Sequence, residues 1–513
     1  MNIVDILCER ARTHGDRQAI VERGRTITFA ELNEAATSAA AELASAGLTP
    51  GMRAIVLSPM SIDLYIVLIG MFRLQVAPVF VDPAHLTAGI ARLRPDAFVA
   101  VPRAHLLRLT TPAVRAIPIK LTVARVARAR RPSEIGRGEP CPPDTPAILT
   151  FTSGSTGDPK AVVRSHGFLI AQHHALATSL ALEPGETDLT ALPIVLLANL
   201  ASGVTSIIPD ADLRAPGAIR PEPVLDQIRR LRPSRTIASP ALLERLAACA
   251  SRRGERFDSL QRIFTGGAPV FPALLDRLAA VAPGASIVSV YGSTEAEPIA
   301  SIDAREIGAA DRSAMRHGAG VLAGAPSSSI EVRILPDRWG IPITLSGHAD
   351  LDREALDDGG IGEIVVSGAH VLGGYLDGAG DEETKIHAGG RVWHRTGDAG
   401  YFDRQGRLWL LGRCAAKVSD RDGILYPLAV ECAASDVPGL RRSAFVRHQG
   451  RRVLVAEVED AVGQSGPQMR DLLMRRLTWA RLADVRIVSR VPVDRRHNAK
   501  IDYPALSRLL GEA

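Results

Sequence analysis

The sequence predicts an α/β fold in at least two domains, and three observations carry that reading. The chain has 513 residues, more than the roughly 250–300 that a single hydrophobic core organises. Helical and strand-like patterns alternate from residue 30 onward, the rhythm of parallel strands joined by helices. From Gly324 the texture changes to short alternating runs punctuated by Gly and Pro, the signature of an antiparallel sheet or small barrel. Hydrophobic residues at 46% and charged residues at 23% put the chain among ordinary globular proteins, so neither disorder nor a fibrous repeat needs to be invoked.

Taken in order, residues 30–46 (AELNEAATSAAAELASA) read as an amphipathic helix and 51–57 (GMRAIVL) as a buried parallel strand. Residues 64–74 suit a helix and 77–80 the next strand. The most apolar stretch, 62–81, is interrupted by Asp63, Arg73 and Gln75, which argues against a membrane span. Residues 102–143 are basic and proline-bearing and are expected to wrap the surface. A second α/β stretch runs over 147–300, and antiparallel runs such as IEVRIL and GEIVVSG follow. A final α+β unit begins near Gly412, with GRCAAKV as the linker, SAFV and RVLVAEVE as strands and 468–482 as a helix.

The formal charge is +5, but the basic residues are dispersed. The densest run, RVARARR at 125–131, lacks interleaved aromatics and reads as a solvated face, not a nucleic-acid site. Only five of the 61 basic residues are lysine: Lys120, Lys160, Lys385, Lys417 and Lys500. A lysine kept where nearly every other cation is arginine marks positions needing a compact point charge on a flexible stem. The five cysteines are widely spaced with no CxxC pair, which argues against a disulfide framework and a cysteine zinc site. Asp5, Glu9 and Arg10 rule against a signal peptide, so the expected compartment is the cytoplasm.

Four stretches carry chemistry. Residues 149–160, LTFTSGSTGDPK, bring an apolar run into a cluster of hydroxyls and glycines closed by Lys160, a loop able to surround phosphate oxygens. Its spacing is not that of a Walker A loop, and the plain alternative is a polar turn. Residues 290–297, VYGSTEAE, place an aromatic, a glycine, hydroxyls and a carboxylate at the end of an apolar run. Tyr291 can stack on a base, Thr294 bond a phosphate and Glu295 hold Mg²⁺, although a strand-end tyrosine is more often core. In WHRTGDAGYFDRQGRLWLLGR, 393–413, Asp398 sits in a tight glycine turn where a carboxylate can take both hydroxyls of a ribose. An Asx turn is the bland alternative. The segment after it is a hairpin turning at Gln405-Gly406. In PVDRRHNAKI, Lys500 follows a strand-like segment; alone it would be a solvated charge. A hydrolase reading of the Ser-rich loop lacks the G-x-S-x-G elbow.

In this order and over essentially the whole chain, the four stretches resemble the superfamily of acyl-CoA synthetases, non-ribosomal-peptide adenylation domains and luciferases. The resemblance implies a large N-terminal domain of two α/β subdomains and a small β-barrel, residues 1–412, and a small mobile α+β C-terminal domain, 413–513. It implies that Thr152, Ser153, Gly154, Ser155, Thr156, Gly157 and Lys160 enclose the ATP phosphates. Gly267 and Ala268 of TGGAP, with Tyr291 and Gly292, would border the adenine. Thr294 would contact phosphate, Glu295 Mg²⁺, and Asp398 with Arg413 the ribose. Lys500 would reach the carboxylate and the α-phosphate. Lys500 and Mg²⁺ then offset the repulsion between two anions as acid and ATP form an acyl-AMP.

VPRAHLLRL, TFTSGSTGDPKAVVRSHGFLIAQ, SIIPDADLRAPG, SPALLERL and PVDRRHNAKI look like the β-lactone synthetases of bacterial olefin biosynthesis. That branch implies a β-hydroxy fatty acid whose own hydroxyl displaces AMP. The segment after Gly412-Arg413 is Cys-Ala-Ala-Lys, without the acidic pair usual in thioester-forming relatives. A ligase passing the acyl group to CoA or a carrier protein stays open, and CoA dependence separates the two. A non-catalytic nucleotide-binding protein is the alternative of another class. Residues 192–203 (LPIVLLANLASG), with Leu197, Asn199 and Gly203, are the expected acyl-pocket lining, and the same residues would look identical as plain core.

Overall fold

The computed structural model describes residues 2–131, 140–152, 160–345, 347–459, 466–494 and 500–511. By compactness the chain divides into two units. One is Met1–Leu213 with Ala369–Asp381, the other Arg214–Gly368 with Glu382–Ala513. The sequence expectation is a boundary at 412/413, and residues 413–513 lie inside the second unit.

In the first unit a six-stranded sheet runs Ile119–Thr122, Ala97–Ala100, Arg53–Leu57, Ala77–Phe80, Pro146–Thr152 and Lys160–Ser165. All neighbours are parallel except the last pair, which is antiparallel with Thr152 opposite Lys160. The helix Phe29–Ser45 starts at a capping box: Thr28 accepts the Glu31 N–H at 3.2 Å and Glu31 accepts the Thr28 N–H at 2.9 Å. Its alanines allow the helix Ile62–Arg73 to come close. A β-carbon added at Gly70 would lie 3.0 Å from Ala39 Cβ, so only glycine keeps that distance without displacement. The 62–73 helix is apolar nearly all round because it is buried nearly all round.

The stretch 102–143 corrects an expectation. It does not merely wrap the surface: Ile119–Thr122 is the sheet's edge strand, and Val114, Ile117, Leu121, Val123 and Val126 are core residues. The arginines between them hid the pattern. Arg125 and Arg131 both close on the carboxylate of Glu42, which is itself buried.

In the second unit Arg235–Ala238, Arg262–Gly266 and Ser286–Ser293 are parallel. Antiparallel strands then continue through Ala296–Asp303, Val321–Pro326, Leu408–Arg413, Arg391–Phe402, Gly362–Ser367 and Glu331–Leu335. This antiparallel set stands where the sequence predicts a small barrel. The C-terminal layer is the three-stranded sheet Leu440–His448, Arg451–Val458 and Asp484–Val488, covered by the helices Pro427–Ser435 and Gly466–Arg476. Its core includes Phe445, Leu454, Leu473 and Leu477. The last of these helices ends at Arg476, short of the expected 482; a 3₁₀ turn follows, and Arg481 takes a left-handed conformation that ends it. The architecture is therefore α/β with a large N-terminal part and a small α+β C-terminal part. Among the described residues no helix is long and apolar enough to cross a membrane.

Candidate active site

Within the second unit, the strands Ser286–Ser293 and Ala296–Asp303 form a hairpin whose two-residue tip is Thr294-Glu295. The tip follows from the chemistry of its residues, since the Ser293 hydroxyl accepts the Glu295 N–H at 3.2 Å and closes the turn. Thr294 and Glu295 are half-buried there, a hydroxyl and a carboxylate presented together. On the neighbouring strand, Gly266 must lack a side chain because a β-carbon would strike the Val290 carbonyl. Gly267 follows at φ +81°, and a β-carbon there would meet nothing within 4 Å. Gly267 with half-buried Ala268 is thus a shelf of exposed backbone, the surface a flat base can approach. Tyr291 and Gly292 stand next to it at the end of the paired strand.

Asp398 lies inside the 12-residue strand Arg391–Phe402, which corrects the predicted turn. Gly397 at φ +69° makes an irregularity within a continuing strand, and the register with the next strand shifts just after it, between Ala399 and Gly400. The reason is that Thr396 and Asp398 are held on both sides. The Thr396 hydroxyl donates to the Ile364 carbonyl at 2.8 Å and accepts the Asp398 N–H at 3.1 Å. The Tyr291 hydroxyl donates to Asp398 Oδ2 at 2.8 Å, and Arg413 Nη1 lies 3.3 Å from Oδ1. Each carboxylate oxygen carries two acceptor sites, so both can still accept a hydroxyl from a diol. Burial and then the Asp398 charge push the Tyr291 phenol well above its ordinary pKa, keeping it a donor. Asp398, first, raises the Arg413 guanidinium further.

Lys500 is accessible to water yet surrounded by protein. That crowding, and then Arg413, lower its ammonium pKa, while Asp398, Asp494 and Glu295 oppose the shift. The lysine therefore feels the charges of Asp398, Arg413 and the hairpin-tip Glu295 together. Local pairing places it: Asp494 accepts the Lys500 N–H at 3.0 Å, the Lys500 carbonyl accepts the Asp494 N–H at 2.8 Å, and Val493 bridges Ile501.

Within the first unit, Lys160 opens the strand after the phosphate-loop segment and is buried. Its ammonium lies 5.3 Å from the centre of the Tyr375 ring, and its tip packs on Gly380, where a β-carbon would overlap it. Thr152 ends the preceding strand. Ser153, Gly154, Ser155, Thr156 and Gly157 lie outside the described residues. Of the expected acyl-pocket residues, Leu197 lines an apolar cavity with Ile3, Phe72, Gln172, His173 and Ile194. Its space for the centre of a water-sized sphere is about 20 Å³, enough for a water or two and not for an alkyl chain. Asn199 is fully buried and donates to Asp188, Thr190 and Ser206 at 2.9–3.1 Å. Gly203 ends the helix Pro193–Ser202 in a left-handed cap at φ +75°.

Sequence reasoning missed two groups in the second unit. Lys385 and His394 are both buried, with Nζ 3.2 Å from Nδ1. Burial, and next the lysine, lower the imidazole pKa to about 3, so it stays neutral. Arg395 and Glu363 form a fully buried ion pair at 2.6 Å. Arg395 also donates to the Ile341 and Arg338 carbonyls and stacks on Trp339, whose ring faces Gly397. The scarcity of lysine was the one available signal for Lys385.

The family model described as "AMP-binding enzyme" matches residues 7–376. The olefin beta-lactone synthetase of Stenotrophomonas maltophilia (strain K279a) is 33% identical, over 99% of this chain and 97% of that protein. That of Xanthomonas campestris pv. campestris is 33% identical over 94% and 90%. Among solved structures, the O-succinylbenzoate coenzyme A synthetase of Bacillus subtilis in complex with AMP superimposes with a TM-score of 0.79. It covers 99% of this chain and 98% of its own, at 22% identity. An exposed backbone shelf at Gly267-Ala268, a carboxylate paired with an arginine, and a lysine whose charge both of them feel thus occur in a chain that belongs to the AMP-binding enzyme family, the adenylate-forming acid ligases.

Proposed function

We propose that this enzyme activates a fatty or β-hydroxy fatty acid as its acyl-AMP and that the substrate's own β-hydroxyl then displaces AMP to close a β-lactone. The observation that carries the first step is the placement of Lys500 in one field with Arg413, Asp398 and Glu295. An acid carboxylate oxygen attacks the α-phosphorus of ATP, the bond to the bridging oxygen breaks, and pyrophosphate leaves. The attack brings two anions together, and Lys500 screens them and stabilises the charge of the transition state. Asp398 accepts the ribose hydroxyls, with Tyr291 and Arg413 fixing its orientation. The Gly267-Ala268 backbone and Tyr291 border the base and Thr294 donates to phosphate; the stretch from Thr152 to Lys160 is assigned phosphate contacts by its family resemblance alone.

Among the described residues no three metal-ligating side chains converge. The half-buried carboxylate of Glu295 at the hairpin tip is the kind of single protein ligand that suits Mg²⁺, which keeps phosphate and water oxygens and needs only one or two carboxylates. Glu295 would hold it, and the ion would supply charge neutralisation at the phosphates. In the second step the β-hydroxyl oxygen attacks the acyl carbon, the acyl–phosphate bond breaks, AMP leaves and the hydroxyl proton passes to solvent. Whole-length likeness to two lactone synthetases supports this step. Residues 413–513 act as the C-terminal domain that delivers Lys500.

The test is pyrophosphate release and product mass with ATP, Mg²⁺ and a panel of fatty and β-hydroxy fatty acids, with and without CoA. Turnover without CoA and a product lighter than the acid by one water supports the lactone. Turnover that requires CoA or a carrier-protein thiol assigns the thioester reaction instead. ATP binding without pyrophosphate from any acid would leave a nucleotide-binding protein.

A further inference from the structure

A small hairpin, Val418–Asp420 paired with Gly423–Leu425, follows the strand that ends at Arg413. It is gripped from two sides. From the C-terminal sheet, Arg452 donates through Nε and Nη2 to the two Asp420 oxygens at 2.8 Å each, and to the Gly423 carbonyl at 3.0 Å. Arg452 is buried, so this grip is a desolvated, two-pronged one. From the other side, a single carboxylate takes the residues flanking the hairpin. Asp337 Oδ2 lies 2.8 Å from Lys417 Nζ, just before the hairpin, and accepts the Tyr426 hydroxyl, just after it, at 2.8 Å. Asp337 Oδ1 accepts the Trp339 N–H at 3.2 Å.

The Asp337 side chain is only 8% exposed. Burial alone would raise its pKa, but the bonds from Lys417, Tyr426 and Trp339 outweigh it and hold the carboxyl below its ordinary value. The clamp also reaches the strand irregularity beside Asp398. Trp339 packs with Tyr426, Leu411, Cys414 and Ala399, the residue after Asp398, and its ring faces Gly397, the residue before it.

We propose that Asp337 is a positioning residue for adenylation: it fastens both feet of the 418–425 hairpin to the loop that walls the strand irregularity at Gly397-Asp398, and so holds Arg413 and Lys500 over the ribose carboxylate. The position of Lys500 then depends on a clamp made by residues that touch neither nucleotide nor acid. This inference rests on the adenylation reading for its turnover arm and on geometry alone for its structural arm.

The experiment compares wild type with Asp337→Asn, Lys417→Met, Tyr426→Phe and the Asp337→Asn/Lys417→Met double variant. Asn keeps an acceptor for the Trp339 N–H, so folding is preserved while the charge is lost. Pyrophosphate release, KM for ATP, melting temperature and hydrogen exchange by peptide are measured on the full chain. The expected result is a kcat lower by roughly 10- to 100-fold, the scale of a small displacement of a reacting group, with KM for ATP changed less than kcat, and with melting temperature nearly unchanged in every variant except Lys417→Met, which alone strands the Asp337 charge. Exchange rises in peptides covering 418–425 and 500–511 and not elsewhere, and the double variant is no worse than the poorer single one. Turnover within twofold of wild type with unchanged exchange overturns the proposal. So does a kcat loss that tracks a fall in melting temperature with exchange raised throughout, which makes Asp337 merely structural. If wild type releases no pyrophosphate with any acid, the adenylation reading fails, and exchange confined to those two peptides still sustains the clamp.

Discussion

Replacing Glu431 by glutamine should abolish a fall in stability that wild type undergoes between about pH 4.5 and 8. Glu431 sits on the helix Pro427–Ser435, is 4% exposed, and accepts the Phe445 N–H at 3.0 Å. Burial pushes its carboxyl from 4.5 up to about 7, with only that N–H acting against it. A raised acid binds its proton more tightly in the native state than in the unfolded chain. Its stabilising contribution is complete below the unfolded value and is lost as pH rises through the folded one. The difference of 2.5 units, each worth 1.36 kcal/mol, amounts to about 3 kcal/mol. Glutamine is neutral at every pH and keeps an acceptor for the Phe445 N–H. Urea unfolding of both proteins at pH 4.5, 6, 7 and 8, followed at the C-terminal layer, cancels the contribution of every other titrating group. Wild type should lose about 3 kcal/mol relative to Glu431→Gln across that range. A difference that stays constant within about 0.5 kcal/mol, the scatter of neutral substitutions, would refute the burial argument.

Lys500→Ala should slow pyrophosphate release by roughly 10²- to 10³-fold, the cost of one preorganised electrostatic contact. A water-accessible lysine leaves the melting temperature unaltered, and activity within twofold would remove it from the mechanism. Asp398→Ala takes both acceptors from the ribose and the partner from Tyr291, so KM for ATP should rise by about 10²-fold, two charge-assisted bonds at about 1.5 kcal/mol each. Nucleotide titration of the folded variant checks this; unchanged ATP affinity would contradict it. Arg395→Met strands Glu363, with which it shares a pair fully shielded from water, and should cost about 3–5 kcal/mol. Chemical denaturation measures it, and a loss below about 1 kcal/mol, the worth of an exposed pair, would show that the pair is not desolvated as described.

Much of the active site was legible before any geometry. The glycine, hydroxyl and carboxylate residues expected to handle a nucleotide lie in short contiguous runs, so VYGSTEAE and TGD single out Thr294, Glu295 and Asp398 as candidates. The structure brings Tyr291, Asp398, Arg413, Glu295 and Lys500 into one field, although they come from stretches spanning more than 200 residues of sequence. The turn expected at Asp398 proved to be an irregularity in a long strand, since side-chain and backbone bonds to its neighbours extend the pairing through the glycine. The 102–143 stretch misled for a different reason. Exposed arginines interleave there with the core residues Val123, Val126 and Ala127, so the charge of the run masks its buried face.

By itself the sequence determined the α/β class, the order of the motifs expected to handle a nucleotide and the choice of Lys500 as the candidate cation for the reacting centre. These depend on periodicity and on residue chemistry within a few positions of chain, which a sequence records directly. Only the tertiary structure decided that Asp337 holds Lys417 and Tyr426, that Lys385 lies against a neutral His394, and that Arg395 is paired with Glu363. Each of these is a buried charge or polar group whose partner is distant in sequence or on another strand. Its energy depends on water being excluded from both members at once, and a linear order of residues does not contain that information.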